Sequence, residues 1–465
     1  MRSLQGTFTA KLISVLFIAL AAAFIANLAG FPARSVVAIS IFFAEISATL
    51  LLWTYRLPIA FIGTSLLFLT GSLTLKAFLD HGNLDVIFFL IGMMTFMGIL
   101  EETHFFDHIA SHMLIASRGN PVLLLFTVSI LSATLAALVD EVTSIVVMVS
   151  LILALTRKSK VSPVPLVLLS VFATNIGSSA TLIGNPVGVL VAFRGGLTFE
   201  DFLRWATPIS ILSLSIMIIL ALRFYRNYLL ALKLSAPQDE ASGAQEVATP
   251  GEFRKNLLLF STIISLLALH HQLEELFSLG KNTLLLAIPF AAAGVTMLMY
   301  PEKGLHAFTE RVEWPTIIFF ALLFASVGAL DSSGFIDAFA HLIIQAAGGS
   351  LELSMVVYAL TATLMSAFMD NVLAVSVLIH VVDKIAAAGL PPYPFYWVAL
   401  FSATIGGNLT YVGSTANIVA LGMLEKNGLQ KPSFKEWLSY GWWATLVPLA
   451  VAITMIYVQA PLMRF

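Results

Sequence analysis

Cysteine is missing from this sequence, and charged residues are scarce. None of the 465 residues is Cys, and Asp, Glu, Lys and Arg together make up only 11%. The first absence excludes disulfides, thiolate metal sites and cysteine nucleophiles. The second excludes an ordinary soluble protein, in which about a quarter of the residues are charged. Because 59% of the residues are hydrophobic and the mean hydropathy is +0.94, the chain must use lipid as its solvent.

Excess charge of either sign is absent as well. The formal net charge is −2, and no basic run interrupts the apolar sequence. A nucleic-acid partner would require a strongly basic face, so this class of function is excluded and the lipid bilayer is the expected partner.

Long apolar runs dominate what is present. A helical span needs about 20 apolar residues, so the runs predict an all-α polytopic membrane protein with about 11 transmembrane helices. The first run is long for a signal-peptide core and is followed by further spans, which favours a true span. The predicted spans are 12–30, 35–54, 57–73, 84–100, 163–193, 207–223, 257–271, 282–300, 315–332, 395–421 and 438–458.

Two further runs have the wrong length for a span. Run 121–155 is broken by Asp140-Glu141, and run 353–382 is broken by Asp370-Asn371. Each is too long for one span and too short for two spans with a loop. We therefore predict two re-entrant hairpins with the polar pair at the tip, which is tolerated where protein or a water-filled cavity covers the backbone.

The sequence repeats itself. Asp140 matches Asp370 at one offset, and Thr181 matches Thr410 at an offset that is shorter by a single position. Further matches at these two offsets are Leu100 with Leu330, Phe105 with Phe335, Asp107 with Asp337, Ala137 with Ala367, Val142 with Val372, Phe172 with Phe401, Gly177 with Gly406 and Gly184 with Gly413. The polar positions match at a nearly constant shift, which indicates a true internal repeat.

Charge asymmetry gives the expected orientation. With the N-terminus in the cytoplasm, most Lys and Arg residues fall on the cytoplasmic side, Lys431 among them, while fewer, such as Lys281, fall outside. An odd number of spans separates equivalent positions, so the two repeats are inverted and the C-terminus is predicted outside. Inverted repeats with broken helices are a recurring plan of secondary transporters.

These features predict the domain organisation. The polar stretch 233–256, rich in Pro, Gly, Ser and Glu, is expected to be a flexible cytoplasmic linker. The expected parts are N-terminal scaffold helices 1–83, repeat 1 over 84–232 with hairpin 121–155 and broken helix 163–193, linker 233–256, scaffold helices 257–314, and repeat 2 over 315–465 with hairpin 353–382 and broken helix 395–421.

The hairpin tips carry acids. Asp140, Glu141, Thr143 and Ser144 belong to the first tip and its following turn, and Asp370-Asn371 form the second tip. A carboxylate at membrane depth is costly unless it is paired, hydrated or bound to a cation, so these positions predict cation or proton handling. The alternative is a structural role, because Asp and Asn are good N-caps. The two roles are compatible.

Two broken stretches complete the candidate site. Gly and Pro interrupt 175–186 and 405–417 inside apolar runs and free backbone carbonyls and amides. Together with side-chain oxygens, such carbonyls coordinate small hard cations, while opposed helix N-termini favour anionic groups. A tolerated kink is the structural alternative. The candidate ion-binding residues in these stretches are Asn175, Ser178, Ser179, Thr181, Asn185, Asn408, Thr410, Ser414, Thr415 and Asn417.

These four stretches resemble the ion transporter superfamily. It includes arsenite permeases, the melanosomal P protein, D-type sodium/proton antiporters and dicarboxylate and citrate carriers, and the sequence most resembles the arsenite permease and P-protein branch. The resemblance implies a scaffold domain, a transport domain that holds the hairpins and broken helices, and a homodimer. The tips here are Asp140-Glu141 and Asp370-Asn371 rather than the Ser-Asn-Thr of dicarboxylate carriers, and Gly184-Asn185-Pro186 replaces the Asp-Pro-Pro-Asn pattern of P-type members.

The expected function is therefore secondary ion transport rather than enzymatic catalysis, in the cell inner (plasma) membrane. No Lys or Arg lies in the four stretches, which disfavours a polyanionic substrate and favours a small inorganic ion, through sodium/proton antiport or arsenite-type export. A sodium-coupled citrate or dicarboxylate carrier is the alternative, followed by an ion channel and, last, an intramembrane aspartyl hydrolase. No cofactor is expected beyond sodium or protons as coupling ions, with a possible sodium ion at Asp140, Asn185, Asp370 and Asn417.

Overall fold

Helices account for the regular structure throughout the described chain. The computed structural model describes residues 2–109, 120–156, 161–232 and 249–463. The helices before the linker are α1 Arg2–Leu28, α2 Ala33–Leu51, α3 Arg56–Leu69, α4 Leu75–His81, α5 Leu84–Glu102, α6 Pro121–Leu138, α7 Glu141–Thr156, α8 Val164–Gly177, α9 Pro186–Gly195, α10 Phe199–Phe224 and α11 Arg226–Ala231. Those after it are α12 Pro250–Ala268, α13 His270–Leu276, α14 Thr283–Met299, α15 Pro301–His306, α16 Trp314–Ser332, α17 Phe335–Ala346, α18 Leu351–Phe368, α19 Asn371–Ala387, α20 Tyr393–Gly406, α21 Thr415–Lys426 and α22 Phe434–Gln459.

Many of these helices match a bilayer in length and composition. Within the described residues, eight helices are long and apolar enough to cross a membrane, or nine if α12 and α13, which meet at an angle of 63°, form one span. Three of the six shorter apolar helices among the described residues, α7, α8 and α9, lie beside the polar pair or the Gly-rich stretch of the first repeat. The prediction of an all-helical, polytopic membrane protein with broken helices is confirmed.

The C-terminal part of the predicted linker 233–256 is helical rather than flexible. Helix α12 begins at Pro250, and the Thr249 side chain caps it by accepting a hydrogen bond from the Glu252 backbone N–H. Proline is favoured in the first helical turn, where its missing N–H is not needed. Residues 249–256 therefore belong to a capped helix start, and the remainder of the linker, 233–248, lies outside the described residues.

The chain divides into two compact units. The first contains 1–88, 313–357 and 375–392, in which α1, α2, α3, α4 and α16 pack on their neighbours. The second contains 89–312, 358–374 and 393–465, in which α6 packs on α8, α7 on α21, and α22 on α10 and α20. Residues 257–312, predicted as scaffold, are grouped with both broken stretches, and the assignment of scaffold and transport domains stays a prediction.

Glycines let the broken helices of the second unit approach their hairpins. A methyl group at Gly177, at the end of α8, would overlap the backbone of Ala133 in α6. At the repeat-related position, a Cβ at Gly406 would lie 3.1 Å from the Thr363 Cα in α18. Ala133 and Thr363 are themselves related by the offset that relates the two acidic tips, so the same close approach is built twice. It brings each broken helix against the hairpin of its own repeat.

Candidate functional site

The first hairpin tip is a helix break capped by its acid. Helix α6 ends at Leu138, α7 begins at Glu141, and Asp140 Oδ1 accepts hydrogen bonds from the backbone N–H groups of Val142 and Thr143, both at 2.8 Å. The Ser144 hydroxyl donates to the Ser132 carbonyl at 3.0 Å, so the chain turns back on itself at the tip. Asp140 thus performs the capping role, which the sequence left open beside cation handling.

The second tip is deeply buried. Asp370 is 1% exposed, its Oδ1 accepts the Val372 N–H at 3.0 Å, and its Oδ2 accepts the Thr415 hydroxyl at 2.7 Å. Beside it, Asn371 is fully buried, and neither its amide nitrogen nor its carbonyl oxygen has a hydrogen-bond partner among the described residues. Buried polar groups are almost always paired, so an orphaned amide marks a position where a ligand or water belongs.

Each broken stretch is hydrogen-bonded to the hairpin of its own repeat through one threonine hydroxyl. Thr181 donates to the Ala137 carbonyl, and Thr410 donates to the Ala367 carbonyl. Both threonines are buried, and donor and acceptor are related by the same repeat in each case. The contact therefore fixes the loop to the last turn before the acidic tip, and the internal repeat seen in the sequence extends to individual hydrogen bonds.

The first loop runs from Ser178 to Asn185, between α8 and α9. Asn185 caps α9 by accepting the Gly188 N–H at 2.7 Å, and its amide donates to the Ser178 hydroxyl at 2.8 Å. The Ser179 hydroxyl donates to the Ile176 carbonyl at 2.7 Å. These hydrogen bonds fix the conformation of the turn between α8 and α9.

The second loop runs from Gly407 to Ser414, between α20 and α21, and is bound by a residue of the first repeat. The Asn175 amide nitrogen donates to Asn408 Oδ1 at 2.7 Å and to Asn417 Oδ1 at 2.9 Å. The Ser414 hydroxyl donates back to Asn175 Oδ1 at 3.0 Å. All four side chains are fully buried. The two broken stretches therefore meet directly.

Hydrogen bonds link the Asp370 tip and the two broken stretches, through Thr415 and Asn175. At the first tip, the Thr143 backbone N–H donates to Asp140, and the Ser144 hydroxyl donates to the Ser132 carbonyl and lies 3.5 Å from the Thr174 hydroxyl of α8. Glu141 is 3% exposed. Within the described residues, no group of three or more Asp, Glu, His or Cys side chains is placed to hold a metal ion. Cation ligands at this site would have to be backbone carbonyls, hydroxyls and amides together with single carboxylates.

Three residues of the site were not predicted from the sequence. The Trp437 indole donates to the Asn408 carbonyl at 3.0 Å, the Thr207 hydroxyl to the Ala180 carbonyl at 2.8 Å, and the Ser210 hydroxyl lies 3.1 Å from that of Ser179. Trp437 belongs to α22, and the other two to α10. Gly441, one turn after Trp437, lets α22 approach the second loop, because a Cβ there would lie 2.5 Å from the Asn408 carbonyl oxygen. All three residues belong to helices of ordinary apolar composition, so the sequence offered no signal for them.

Arg311, a basic residue of the second unit, is paired outside the four stretches. Arg311 forms an ion pair with Glu101, with 2.8 Å between Nη1 and Oε1, and a second pair with Glu102. Burial by itself lowers the pKa of the Arg311 guanidinium, but the two carboxylates outweigh it, and the pKa lies above its ordinary value. Because none of the four stretches contains Lys or Arg, their carboxylates are not neutralised from within.

Paired hairpins and paired broken helices, related by an internal repeat and joined through Asn175, define a secondary transporter. Comparison with known proteins gives the family. A family model described as citrate transporter matches residues 48–351 and 333–463, and the chain belongs to this family within the ion transporter superfamily. The resemblance to this superfamily is thereby confirmed.

Relatives and a solved structure agree with this assignment. An uncharacterized transporter of Mycobacterium tuberculosis is 30% identical over 382 residues, covering 81% of this chain and 86% of the relative. The human P protein is 24% identical over 448 residues, covering 81% of this chain but 53% of the P protein. The crystal structure of the YdaH transporter of Alcanivorax borkumensis, described as having an unusual topology, shares the fold with a TM-score of 0.58 at 15% identity, covering 93% of this chain and 99% of that one.

Proposed function

We propose that this chain moves a small inorganic ion across the inner (plasma) membrane by alternating access, coupled to protons or sodium. The main observation in support is the buried acidic tip at Asp370, beside which the side-chain amide of Asn371 has no hydrogen-bond partner among the described residues. An unpaired buried amide is costly, and a substrate that reached it would recover that cost. Asp140 and Asp370 handle the coupling cation or proton, and Glu141 serves as an auxiliary proton carrier.

The substrate class follows from charge. The four stretches contain acids, amides and hydroxyls but no basic side chain, so a polyanion would meet uncompensated carboxylates. Sodium/proton antiport, or export of a neutral oxyacid of the arsenite type, suits this lining. Citrate is the second candidate, since the family model that matches the chain is described as citrate transporter.

Flux into proteoliposomes distinguishes these functions. Purified protein would be reconstituted with a trapped pH indicator, a pH gradient imposed, and sodium, lithium, arsenite or citrate added on the outside. A sodium/proton antiporter dissipates the gradient saturably on addition of sodium or lithium, and a proton-coupled arsenite carrier does so on addition of arsenite. A sodium-coupled citrate carrier responds to citrate only when sodium is present. Dissipation by any ion without saturation or coupling would instead identify a channel.

Two matched substitutions test the assigned residues in this assay. Asp140→Asn and Asp370→Asn keep the size of the side chain and one oxygen for capping, but remove the titratable charge. We expect both to abolish coupled transport while the protein remains folded and monodisperse. Asp337→Asn is the control, since Asp337 is an acid of the first unit outside the four stretches. Normal coupled rates in both site variants would refute the assignment.

A further inference from the structure

A buried acid outside the four stretches has no hydrogen-bond partner. Glu45 lies inside the span α2 rather than at either end, and it is 3% exposed. Neither of its carboxyl oxygens has a hydrogen-bond partner among the described residues. Glu45 belongs to the first unit, whereas both broken stretches belong to the second. An acid at membrane depth is costly and is usually retained for a function, so Glu45 requires an explanation of its own.

The Glu45 carboxyl group is enclosed by two other helices of the same unit. A Cβ at Gly63 of α3 would lie 2.5 Å from Glu45 Oε2, so the α3 backbone packs directly on it. The Ser326 hydroxyl of α16 lies beside the carboxyl group and is 3.4 Å from the Thr64 hydroxyl. One turn further along α2, the Thr49 hydroxyl is fully buried. The polar groups around the carboxyl group are therefore neutral hydroxyls.

In the described part of the chain, no positive charge compensates a Glu45 carboxylate. Helix α2 packs on α1, α3 and α16 and on the turn Trp53–Tyr55. Arg56 of α3 donates to the Thr316 hydroxyl at 2.8 Å, and Asp331 of α16 is paired with Lys384. The other titratable side chains described on these elements are exposed, namely Lys11, Arg34 and Tyr55. A charged Glu45 would be buried without a counter-ion.

Glu274, which is buried to the same extent, shows how a buried carboxylate is accommodated. It is 3% exposed, and its two oxygens accept the backbone N–H groups of Asn282 at 3.1 Å and Leu284 at 2.8 Å. Hydrogen bonds of this kind stabilise the charged form of an acid. Glu45 has no such donors, and an isolated buried carboxylate takes up a proton rather than remaining charged.

We propose that Glu45 is a proton-binding site of the first unit, which holds its proton through neutral pH and, on releasing it at alkaline pH, destabilises the packing of α2 on α3 and α16. A proton needs no cavity, whereas the contact with Gly63 leaves no room for a metal ion beside Oε2. The inference does not depend on the proposed function, because this proton is not one of those handled at the acidic tips.

Thermal unfolding of the purified protein at different pH values measures this proton. Glu45→Gln has the size of protonated glutamic acid but cannot ionise. In the unfolded chain a Glu ionises above about pH 4.3, whereas Glu45 in the folded protein stays neutral, so rising pH destabilises the wild type relative to the variant. We expect the two midpoints to be similar near pH 4 and to diverge up to about pH 9. The relative change in the unfolding equilibrium constant should approach about tenfold per pH unit, the limit for one proton, until the folded protein also releases it.

Two further variants complete this experiment. Glu352→Gln is the matched control, because Glu352 is an exposed acid of the same unit in the first turn of α18, and its pH profile should run parallel to that of the wild type. Glu45→Met is neutral and unbranched, so it should reproduce the profile of Glu45→Gln and replaces it if that variant cannot be purified.

Infrared spectroscopy detects the proton directly. A protonated carboxyl group has a C=O stretch that a carboxylate lacks. At neutral pH we expect the wild type to show a protonated-carboxyl signal that is missing from Glu45→Gln and Glu45→Met, and this signal should disappear on titration to alkaline pH.

Three results would overturn the proposal. The first is a parallel pH dependence of unfolding in the wild type and in Glu45→Gln, and the second is the absence of any protonated-carboxyl signal assignable to Glu45. The third is stabilisation of the wild type, but not of Glu45→Gln, by NaCl over choline chloride at constant pH, which would assign the site to a metal cation. Since none of these measurements involves transport, their failure would leave the proposed function standing, and a lack of coupled flux would leave the proton site standing.

Discussion

At the scale of the residue, Asn175 joins the two repeats through three hydrogen bonds. Its single amide group contacts Asn408, Asn417 and Ser414, all of them fully buried. At the repeat-related position, Thr404 donates only to the Leu400 carbonyl of its own helix, at 2.9 Å. Asn175 of the first repeat is therefore the centre of the connection between the broken stretches, to which the Asn408 amide adds a hydrogen bond to the Phe172 carbonyl at 3.4 Å.

Removing the Asn175 amide should lower both the stability of the protein and its transport rate. We expect Asn175→Ala to lower the free energy of unfolding by roughly 2–3 kcal/mol, because it leaves two buried amide oxygens without their donor. Transport should fall as well, since the second loop loses its hold on the first. Thermal unfolding in detergent and proteoliposome flux check both effects.

Asn427→Ala is the matched control. Asn427 is exposed, and its amide donates only to the Met423 carbonyl one turn earlier, at 2.8 Å. A loss of stability in Asn175→Ala no larger than in this control would show that the buried network contributes little.

At the scale of the element, sequence patterns located the helix breaks but not the partners of the loops. The positions of the hairpin tips followed from the polar pairs at Asp140 and Asp370, and those of the loops from the Gly-rich stretches that end at Asn185 and Ser414. Polar residues are costly in lipid, so where they occur they usually have a function. The predicted run 163–193 was accordingly found as two helices with a loop.

The contacts between distant elements could not be predicted in this way. Trp437 and Ser210 come from helices whose composition is that of ordinary spans, and a hydrogen bond to a loop leaves no periodic trace in the sequence. Likewise, the sequence singled out Asn417 as a candidate site residue, but only the structure shows that its amide contacts the Gly407 and Thr410 carbonyls.

The two loop-to-hairpin contacts give a prediction at this scale. Thr181→Val and Thr410→Val keep the shape of the side chain and remove the hydrogen bonds to Ala137 and Ala367. Each should lower the free energy of unfolding by about 1 kcal/mol, and their effects should add in the double variant because the contacts have no partner in common.

Chemical or thermal unfolding of the single and double variants measures this additivity. Thr262→Val is the control, since its hydroxyl is exposed and donates to Leu258 within its own helix. A double variant that loses much less stability than the sum of the two single losses would indicate that the two contacts are coupled through the Asn175 hydrogen bonds that join the loops.

At the scale of the whole molecule, each unit repeats one further contact of the other. A Cβ at Gly98 would lie 2.7 Å from Arg311 Cβ in the second unit, and a Cβ at Gly328 would lie 2.5 Å from His81 Cγ in the first. The offset that relates Asp140 to Asp370 also relates Gly98 to Gly328, and His81 to Arg311. His81 precedes the first helix of repeat 1 but packs on α16, the first helix of repeat 2. Arg311 precedes α16 but packs on α5, the first helix of repeat 1. Such exchanged contacts are expected when the two repeats descend from one unit and pair with each other.

Inversion of the repeats gives a prediction that the absence of cysteine makes simple to test. With the N-terminus in the cytoplasm, Lys431 is predicted inside and Lys281 outside, and both are exposed. A single Cys introduced at either position is the sole thiol of the chain, since the natural sequence has none. In intact cells, a membrane-impermeant maleimide should label Lys281→Cys but not Lys431→Cys, and permeabilisation should make both reactive. Labelling of the two variants from the same side would contradict the predicted topology, in which the first hairpin enters from the cytoplasm and the second from the outside.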